Sequence, residues 1–315
     1  MATVTNERCP HDVIDDVCWE CSKAKLDRKE RYPSIEKFGE ALLLSGDLDP
    51  LYIALYHGIG DGPLLRRWLL AYWCCYHAGA SSYIAEVTGS EFWNRLHVMA
   101  RNDVNTPLGE RWPRGHERRH FRGDKAVHAV ESIRTRFLEP EKVCEWFEGG
   151  LYPSDNANRV PIPYKRLREK VTTLPQFGPW IAFKVADMLE RVLNVPVSFS
   201  EADVMMFEQP YKSALQVWES MDGEASAIAR STVTTDDEKV RRVARKLGMF
   251  FAGRTAPPKH DRPVNIQEVE TILCKWKSHN TGHYPVGIDS IELHHGLSEW
   301  AKVSETARRL QHLVP

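Results

Sequence analysis

The chain has 315 residues, of which 42% are hydrophobic and 27% are charged, and its formal net charge is −1 at pH 7. This nearly neutral balance excludes nucleic-acid binding by bulk charge, so any such contact has to come from local basic patches. No run of about eighteen apolar residues occurs, which excludes a transmembrane helix. The N-terminus lacks the apolar core of a signal peptide, and the seven cysteines are an odd number. These two features predict a reducing, cytoplasmic environment and no membrane partner.

Residues 1–30 carry a candidate metal site. The pattern is C-x-H followed by C-x-x-C, formed by Cys9, His11, Cys18 and Cys21. Thiolate and imidazole ligands at this spacing suit tetrahedral zinc, which would fold a segment too short to have a core of its own. We therefore expect a small structural zinc knuckle here. The alternative is an irregular tail in which these thiols are incidental.

Helical periodicity dominates the chain after residue 34. Over residues 64–76 the apolar side chains form one wide stripe, which predicts a core helix that also buries Cys74 and Cys75. The glycine-rich segment 57–62 has no strand before it and no Lys-Ser/Thr after it, so it is interpreted as an interhelical turn. Further helices are predicted over 82–102 with a break near Gly89, over 124–137 and over 141–147.

Residues 110–123, with the sequence ERWPRGHERRHFRG, form a loop dense in arginine. Guanidinium groups bind phosphate oxygens in pairs, so this density favours a site for pyrophosphate or for the DNA backbone. The aromatic residues and glycines of the stretch indicate a shaped loop rather than a solvated run of charge. The candidate anion-binding residues are Arg114, Arg118, Arg119 and Arg122, and Glu117 is the one acid within residues 111–122.

Residues 164–191 contain the pattern around which the rest of the chain is interpreted. A polar amphipathic helix over 164–173 leads into the turn 174–178, and a second helix starts at Pro179, where a missing N–H costs nothing. Two helices joined by a short turn ending in glycine make a helix-hairpin-helix, whose backbone N–H groups can hold a phosphate without reading sequence. The expected DNA contacts are Gln176, Phe177, Gly178, Trp180 and Lys184.

The C-terminal part of the chain is predicted to be helical as well. Helices are expected over 234–247, 266–277 and 297–313, with a linker rich in proline and charge over 253–263 and a loop over 279–288. Cys274, His279 and His283 are possible metal ligands, although histidines in loops more often make ordinary hydrogen bonds. Because almost no segment indicates a sheet, we expect an all-α protein.

A short apolar run over 195–199 follows the second hairpin helix and precedes Asp203. This order resembles that of the helix-hairpin-helix DNA glycosylases, and Asp203 falls where that superfamily keeps its catalytic aspartate. Trp180 stands where the lyase members carry a catalytic lysine, and Lys184 does not match that position, so lyase chemistry is not implied. Ser200-x-x-Asp203 also fits a capping box, in which the carboxylate bonds the backbone at a helix start. The two roles are compatible, because a helix N-terminus keeps a carboxylate ionised.

The arginine-rich stretch 110–123, together with CKWKSH at 274–279 and GHYPVG at 282–287, narrows the resemblance. The chain looks like the phage α-glutamyl/putrescinyl-thymine pyrophosphorylases, also called amino acid:DNA transferases, which are related to glycosylases but do not excise bases. The resemblance extends over residues 33–296. It implies that an amine, which is an amino acid such as glycine, serine or glutamate or else a polyamine, displaces pyrophosphate from 5-(pyrophosphoryloxymethyl)uracil in DNA. The base would have to be flipped out of the stack to be reached.

The resemblance also implies roles for the candidate residues. Asp203 or Glu117 would orient or deprotonate the incoming amine. Charge and geometry, rather than the family, suggest that the arginine loop neutralises the departing pyrophosphate, together with Lys275, His279 and Tyr284. No nucleotide cofactor is expected.

The expected domains are a zinc knuckle over 1–30, a helix-hairpin-helix glycosylase-like helical domain over 31–255, and a C-terminal helical extension over 256–315 that packs on the same core. Two other functions remain open. One is a base-excision glycosylase, in which the arginines only grip backbone phosphate. The other is a DNA-binding module without catalysis.

Overall fold

A computed structural model describes residues 26, 32–102, 104–149, 160–200, 203, 207–220 and 235–315. Within these ranges the protein is built almost entirely from helices, which confirms the all-α prediction. None of the helices in the described ranges is long and apolar enough to cross a membrane. The zinc knuckle stays a prediction, since all four of its expected ligands lie outside the described residues: Cys9, His11, Cys18 and Cys21.

The described chain up to residue 149 contains α1 (Ile35–Ser45), α2 (Pro50–Gly58), α3 (Pro63–Cys75), α4 (Ala78–Ala85), α5 (Gly89–Arg101), α6 (Asp124–Phe137) and α7 (Glu141–Glu148). Proline occupies the first turn of α2 and of α3, where its missing N–H breaks no helical hydrogen bond. α3 is buried on nearly all sides, including Cys74 and Cys75, as its wide apolar stripe predicts.

The remainder contains β1 (Ile162–Pro163), α8 (Tyr164–Val171), α9 (Pro179–Arg191), β2 (Val197–Ser198), α10 (Glu208–Glu219), α11 (Asp236–Phe251), α12 (Ile266–Asn280), α13 (Ile288–Trp300) and α14 (Glu305–Gln311). The two short strands pair in parallel, with Ile162 opposite Val197. This pairing holds the start of α8 beside the segment that follows α9. As predicted, α9 begins at Pro179, directly after the turn that ends in Gly178.

The prediction of one helix over 297–313 is wrong, because the chain breaks between α13 and α14. Ser304 starts the new helix, and its Oγ accepts a hydrogen bond from the Ala307 N–H at 3.1 Å. Glu86, which follows α4, completes the cap: its carboxylate accepts from Ser304 Oγ at 2.8 Å and from the Thr306 N–H at 2.6 Å. The first N–H groups of a helix need such partners, so these side chains fix the break.

The buried hydrophobic side chains form two cores. The larger core is built by α2 to α9 with α14 and the end of α13, and it contains Trp68, Trp73 and Trp300. The smaller core is built by α1, α10, α11 and α12, and it contains Phe38 and Leu247. Residues 256–315 therefore contribute to both cores. The connection between α1 and α2 and the start of α13 lie where the two cores meet.

Candidate active site between the two cores

A pocket of about 580 Å³ opens where the two cores meet, and we call it the interface pocket. Its walls come from the α1–α2 connection, the end of α3, the start of α9, and parts of α12 and α13. The aromatic side chains that line it are Tyr52, Tyr72, Tyr76, Trp180 and Tyr284. The charged ones are Asp49, Glu117, Lys184, Glu270, Lys275, Asp289 and Glu292. A concave site of this size with aromatic walls and converging charges is the usual form of a small-molecule site.

Lys184 faces the interface pocket from α9, one turn after Trp180. Its side chain is 13% exposed, and its Nζ lies 3.7 Å from Asp187 Oδ2. Toward the described residues it donates no hydrogen bond. Burial opposes the charged form, but the carboxylates of Asp187 and Glu270 outweigh it and raise the pKa of Lys184. Lys184 is therefore a cation at neutral pH that has hydrogen-bonding capacity to spare.

Glu270 faces the same pocket from α12 and is 5% exposed. Its carboxylate makes no salt bridge with any residue that the structure describes. Burial raises the pKa of Glu270 to about 7, with Lys184 opposing the shift and Asp187 adding to it. A carboxyl group that titrates near neutral pH can take up and release a proton there, which is what a general base requires.

A network of buried charges lies next to the interface pocket. Arg191, at the end of α9, contacts Asp49 at 2.5 Å, Asp187 at 3.7 Å and Glu268 at 3.4 Å. The Tyr52 hydroxyl donates to Asp187 Oδ2 at 2.8 Å. Breaking a buried ion pair leaves an uncompensated charge, which is strongly destabilising. The network therefore fixes α9 against α2 and α12, and with them the shape of the pocket.

Lys275 and Tyr284, both predicted to bind substrate, line the interface pocket, but their polar atoms hold the α1–α2 connection. Lys275 Nζ donates to the carbonyl oxygens of Asp47 at 2.6 Å and Leu48 at 2.7 Å, and it lies 2.7 Å from Asp289 Oδ2. The Tyr284 hydroxyl donates to Asp47 Oδ2 at 2.8 Å. Both residues thus shape the wall and have little hydrogen-bonding capacity left for a ligand.

His279, the third residue of that group, lies in the smaller core rather than in the pocket. Its Nε2 accepts from the Tyr32 N–H at 3.2 Å, its Nδ1 lies 2.9 Å from the Tyr284 carbonyl oxygen, and its ring stacks on Phe38. Across the described ranges, no group of three or more His, Cys, Asp or Glu side chains could hold a metal ion. Cys274 does line the pocket and is exposed there. Partial withdrawal from solvent and the nearby Glu270 carboxylate raise the pKa of its thiol, so it is a neutral thiol at physiological pH.

Two of the four candidate arginines of the 110–123 loop point inward. Arg114 donates to the carbonyl oxygens of Phe121 at 2.7 Å and Trp112 at 3.0 Å. Arg118 is buried, and it donates to the carbonyl oxygens of Cys74 at 3.2 Å and Gln176 at 2.8 Å. These two side chains hold the loop in shape and join it to the end of α3 and to the hairpin turn.

The other two arginines, Arg119 and Arg122, are exposed. Among the described residues, Arg119 bonds only its own turn, with Nη1 2.9 Å from His116 Nε2 and 3.1 Å from the His116 carbonyl oxygen. Glu117 lies in the same turn and lines the interface pocket. The loop therefore carries its exposed cations next to one edge of the pocket.

The turn between α8 and α9 places Gln176 and Gly178 on the surface and Phe177 in the larger core. Gly178 precedes the first turn of α9, and a Cβ added there would meet nothing within 4 Å. The N–H groups of this first turn have no partners within the helix, so they are available to a phosphate. Trp180, two residues on, contacts Tyr76 at a ring distance of 4.8 Å inside the interface pocket.

Asp203 does not line the interface pocket. Its Oδ2 accepts from the Ser200 N–H at 2.7 Å and lies 3.3 Å from Ser200 Oγ, a pairing that the capping-box pattern predicts. Burial raises the pKa of Asp203, while the bonds from Ser200 and the charge of Arg168 oppose the shift. The structure thus brings Glu117, Trp180, Lys184, Lys275 and Tyr284 together around one pocket and leaves Asp203 outside its lining.

A helical protein with a charged pocket between two cores, beside an exposed helix N-terminus and a basic loop, has the features of an enzyme that acts on nucleic acid with a small co-substrate. Comparison with known sequences defines the family. Residues 44–284 match the model of the amino acid:DNA transferase family. The chain belongs to this family, which confirms the resemblance, and it is a transferase that acts on DNA.

Two relatives from phages show similarity over nearly the whole chain. A glycinyltransferase of Pseudomonas phage PaMx11 is 45% identical over 302 residues, covering 92% of this chain and 99% of the relative. A putrescinyltransferase of Delftia phage PhiW-14 is 28% identical over 283 residues, covering 88% of this chain and 82% of the relative. The similarity therefore extends through both cores and the pocket between them.

Reasoning from the sequence alone missed Glu270. The available signal was an acid within the apolar face of a predicted helix, since Val269, Ile272 and Leu273 around it are all buried. A charged residue in such a position is seldom fully buried without a partner or a function. Asp49 and Tyr52 were missed as well, because their partners Arg191 and Asp187 lie on α9, far away in the sequence. Asp187 was missed although Lys184 and Arg191 flank it on the same helix.

Proposed function

We propose that the protein replaces the pyrophosphate group of 5-(pyrophosphoryloxymethyl)uracil in DNA with the amine of glycine. In this reaction a C–N bond forms at the 5-methylene carbon, and the C–O bond to pyrophosphate breaks. The observation that carries the proposal is the 45% identity to a glycinyltransferase over 99% of that relative. The interface pocket supports it, because a cation and a buried carboxylate converge there beside aromatic rings.

The DNA is proposed to bind at the α8–α9 turn, with the reacting base flipped toward the interface pocket. The exposed N-terminus of α9 suits a backbone phosphate, and a phosphate held there would place a nucleotide close to Trp180. The rings of Trp180 and Tyr76 offer a stacking surface, which partly offsets the few kcal/mol lost on unstacking the base. A volume of about 580 Å³ suits a pyrimidine and a small amine.

The departing pyrophosphate is proposed to bind Arg119 and Arg122, the two exposed arginines of the 110–123 loop. Guanidinium groups pair with phosphate oxygens in a fixed geometry and stabilise the charge that develops as the C–O bond breaks. Arg114 and Arg118 contribute indirectly, because they hold the loop that presents the other two.

Mass spectrometry of nucleosides tests the proposal. Pyrophosphorylated DNA is incubated with the protein and an equimolar pool of glycine, serine, glutamate and putrescine, and then digested. We expect a glycine adduct of thymidine and free pyrophosphate. Abasic sites with released base would instead establish a glycosylase, and DNA binding without either product would establish a binding module.

A further inference from the structure

We propose that Lys184 and Glu270 bind the amino acid co-substrate as a zwitterion, with Lys184 on its carboxylate and Glu270 on its amino group. Glu270 then takes the proton that the amine loses before it attacks the DNA. This inference rests on the proposed transfer of an amino acid to DNA. The inference assigns the residues that select an amino acid over a simple amine, and it assigns the group that deprotonates that amino acid.

The first support is the location of both residues on one pocket. Lys184 comes from α9 in the larger core and Glu270 from α12 in the smaller core, and both line the interface pocket. Lys184 is 13% exposed and Glu270 is 5% exposed, so a ligand between them would be largely withdrawn from water. Charge pairs act most strongly in such surroundings.

The second support is that both groups keep capacity to bind a ligand. Two other acids of the pocket have cations of their own, since Asp49 contacts Arg191 at 2.5 Å and Asp289 contacts Lys275 at 2.7 Å. Toward the described part of the chain, Glu270 makes no salt bridge. Lys184 has one long ion pair, at 3.7 Å from Asp187, and lies 5.4 Å from the centre of the Phe183 ring. A buried carboxylate without a salt-bridge partner is costly. An arriving ammonium group would supply that partner.

The opposite charges of the pair match one class of amine. An α-amino acid carries its ammonium and carboxylate groups on the same carbon, so it can satisfy Glu270 and Lys184 together. A diamine would place its second cation near Lys184, where like charges repel. A simple amine would leave Lys184 without an acceptor. Lys184 and Glu270 together therefore favour a small amino acid, in agreement with glycine as the proposed co-substrate.

The chemical step balances with these groups. Glu270 takes one proton from the ammonium group of the amino acid, which leaves a neutral amine with a free electron pair. That pair forms the C–N bond to the 5-methylene carbon, and the electrons of the C–O bond leave with pyrophosphate. The product is a secondary ammonium group, and the proton on Glu270 passes to solvent. General-base help of this kind contributes roughly 10²- to 10⁴-fold in rate.

The role of Lys184 is tested with Lys184→Met, which removes the charge at similar length, and with Lys277→Met as the matched control. Lys277 lies on α12 outside the pocket lining. We expect Lys184→Met to raise KM for glycine by about 10- to 100-fold, the scale of a lost charged hydrogen bond. Its KM for methylamine, which has no carboxylate, should stay near the wild-type value. Equal losses with both amines would overturn the assignment.

The role of Glu270 is tested with Glu270→Gln, and Glu299→Gln on the surface of α13 is the control. With glycine at neutral pH, single-turnover rates should fall by roughly 10²- to 10⁴-fold. Raising the pH should restore much of the rate, because solution then supplies the neutral amine. Aminoacetonitrile, whose amine is already neutral at this pH, should react with Glu270→Gln and with the wild type at similar rates.

A purely structural role for Glu270 would slow glycine and aminoacetonitrile equally and would give no rescue at higher pH, and that result would overturn the proposal. The wild-type rate with glycine should rise with pH through about 7, the pKa to which burial raises Glu270. If the wild type forms no glycine adduct at all, the proposed function fails. If the adduct forms and Glu270→Gln shows no rescue, only the present inference fails.

Discussion

Arg118 belongs to the basic 110–123 loop, but its contacts stabilise the fold. Its Nη1 donates to the Gln176 carbonyl at 2.8 Å, its Nε donates to the Cys74 carbonyl at 3.2 Å, and its guanidinium lies 4.4 Å from the centre of the Phe121 ring. We predict that Arg118→Ala lowers the free energy of unfolding by about 3 kcal/mol, because two carbonyls lose a charged donor. Denaturant unfolding measures this. An unchanged midpoint would show that the carbonyls find other donors.

Arg122 is expected to behave in the opposite way. It is exposed, and its side chain bonds none of the described residues, so Arg122→Ala should leave the unfolding midpoint unchanged. Turnover of pyrophosphorylated DNA should fall by roughly a hundredfold, the effect of removing one preorganised charge stabiliser. Affinity for ordinary thymine DNA should fall much less. If both DNAs lose affinity equally, Arg122 grips the backbone and does not hold the leaving group.

The local sequence predicts that the 110–123 loop is basic. It does not predict which of the arginines hold the fold and which are exposed. The carbonyls that Arg118 contacts lie 44 and 58 positions away along the chain, so no nearby pattern indicates them. Glu270 was missed for a related reason, since Val269, Ile272 and Leu273 make its helix face apolar, and Lys184, which faces the same pocket, lies on α9. Residue types are visible in the sequence, whereas their partners depend on which helices meet.

At the scale of elements, the α8–α9 turn offers a clean test of DNA binding. A side chain at Gly178 meets open space and its φ is −83°, so Gly178→Asp should fold normally, and an aspartate at this cap position favours the helix. Its charge should repel a phosphate, weaken binding to all DNA sequences and lower the salt slope by about one contact. Gly178→Ala, the neutral control, should bind nearly as the wild type does. An unchanged salt slope in Gly178→Asp would place the turn away from DNA.

The start of a helix could be predicted from the sequence where its capping residues lie next to it in the chain. The helix predicted over 266–277 appears as α12, and its capping box uses Asn265 and Glu268, three residues apart. The helix predicted over 297–313 failed because Ser304 is bonded by Glu86, 218 positions earlier in the chain. Periodicity identifies an apolar face, but a break that a distant carboxylate stabilises leaves that periodicity nearly intact.

At the scale of the whole molecule, the interface pocket exists only when both cores have formed. The larger core supplies Lys184 and Trp180, the smaller core supplies Glu270, and Arg191 joins them through its 3.4 Å contact with Glu268. The family resemblance predicts the class of reaction, but it does not predict which acid faces the cavity. That assignment needs the packing of α9 against α12, which depends on side chains far apart in the sequence.

The burial of Glu270 at this junction should also appear in the pH dependence of global stability. Burial raises its pKa from 4.5 to about 7, so the folded protein holds this proton more tightly than the unfolded chain does. Its contribution to stability is then complete below about pH 4.5 and is lost as the pH rises through about 7. Glutamine does not ionise, so Glu270→Gln should match the wild type in acid and be more stable by a few kcal/mol at about pH 8.

Thermal unfolding of both proteins across this pH range measures the effect. The two stability curves should diverge as the pH rises, and glycine at saturating concentration should narrow the gap by binding the wild type more tightly. Parallel curves would show that Glu270 does not titrate in this window and would remove the basis for its pH-dependent role. Divergent curves, combined with a slower reaction in the variant, would mean that the protein gives up stability to keep a buried carboxylate available for the amine.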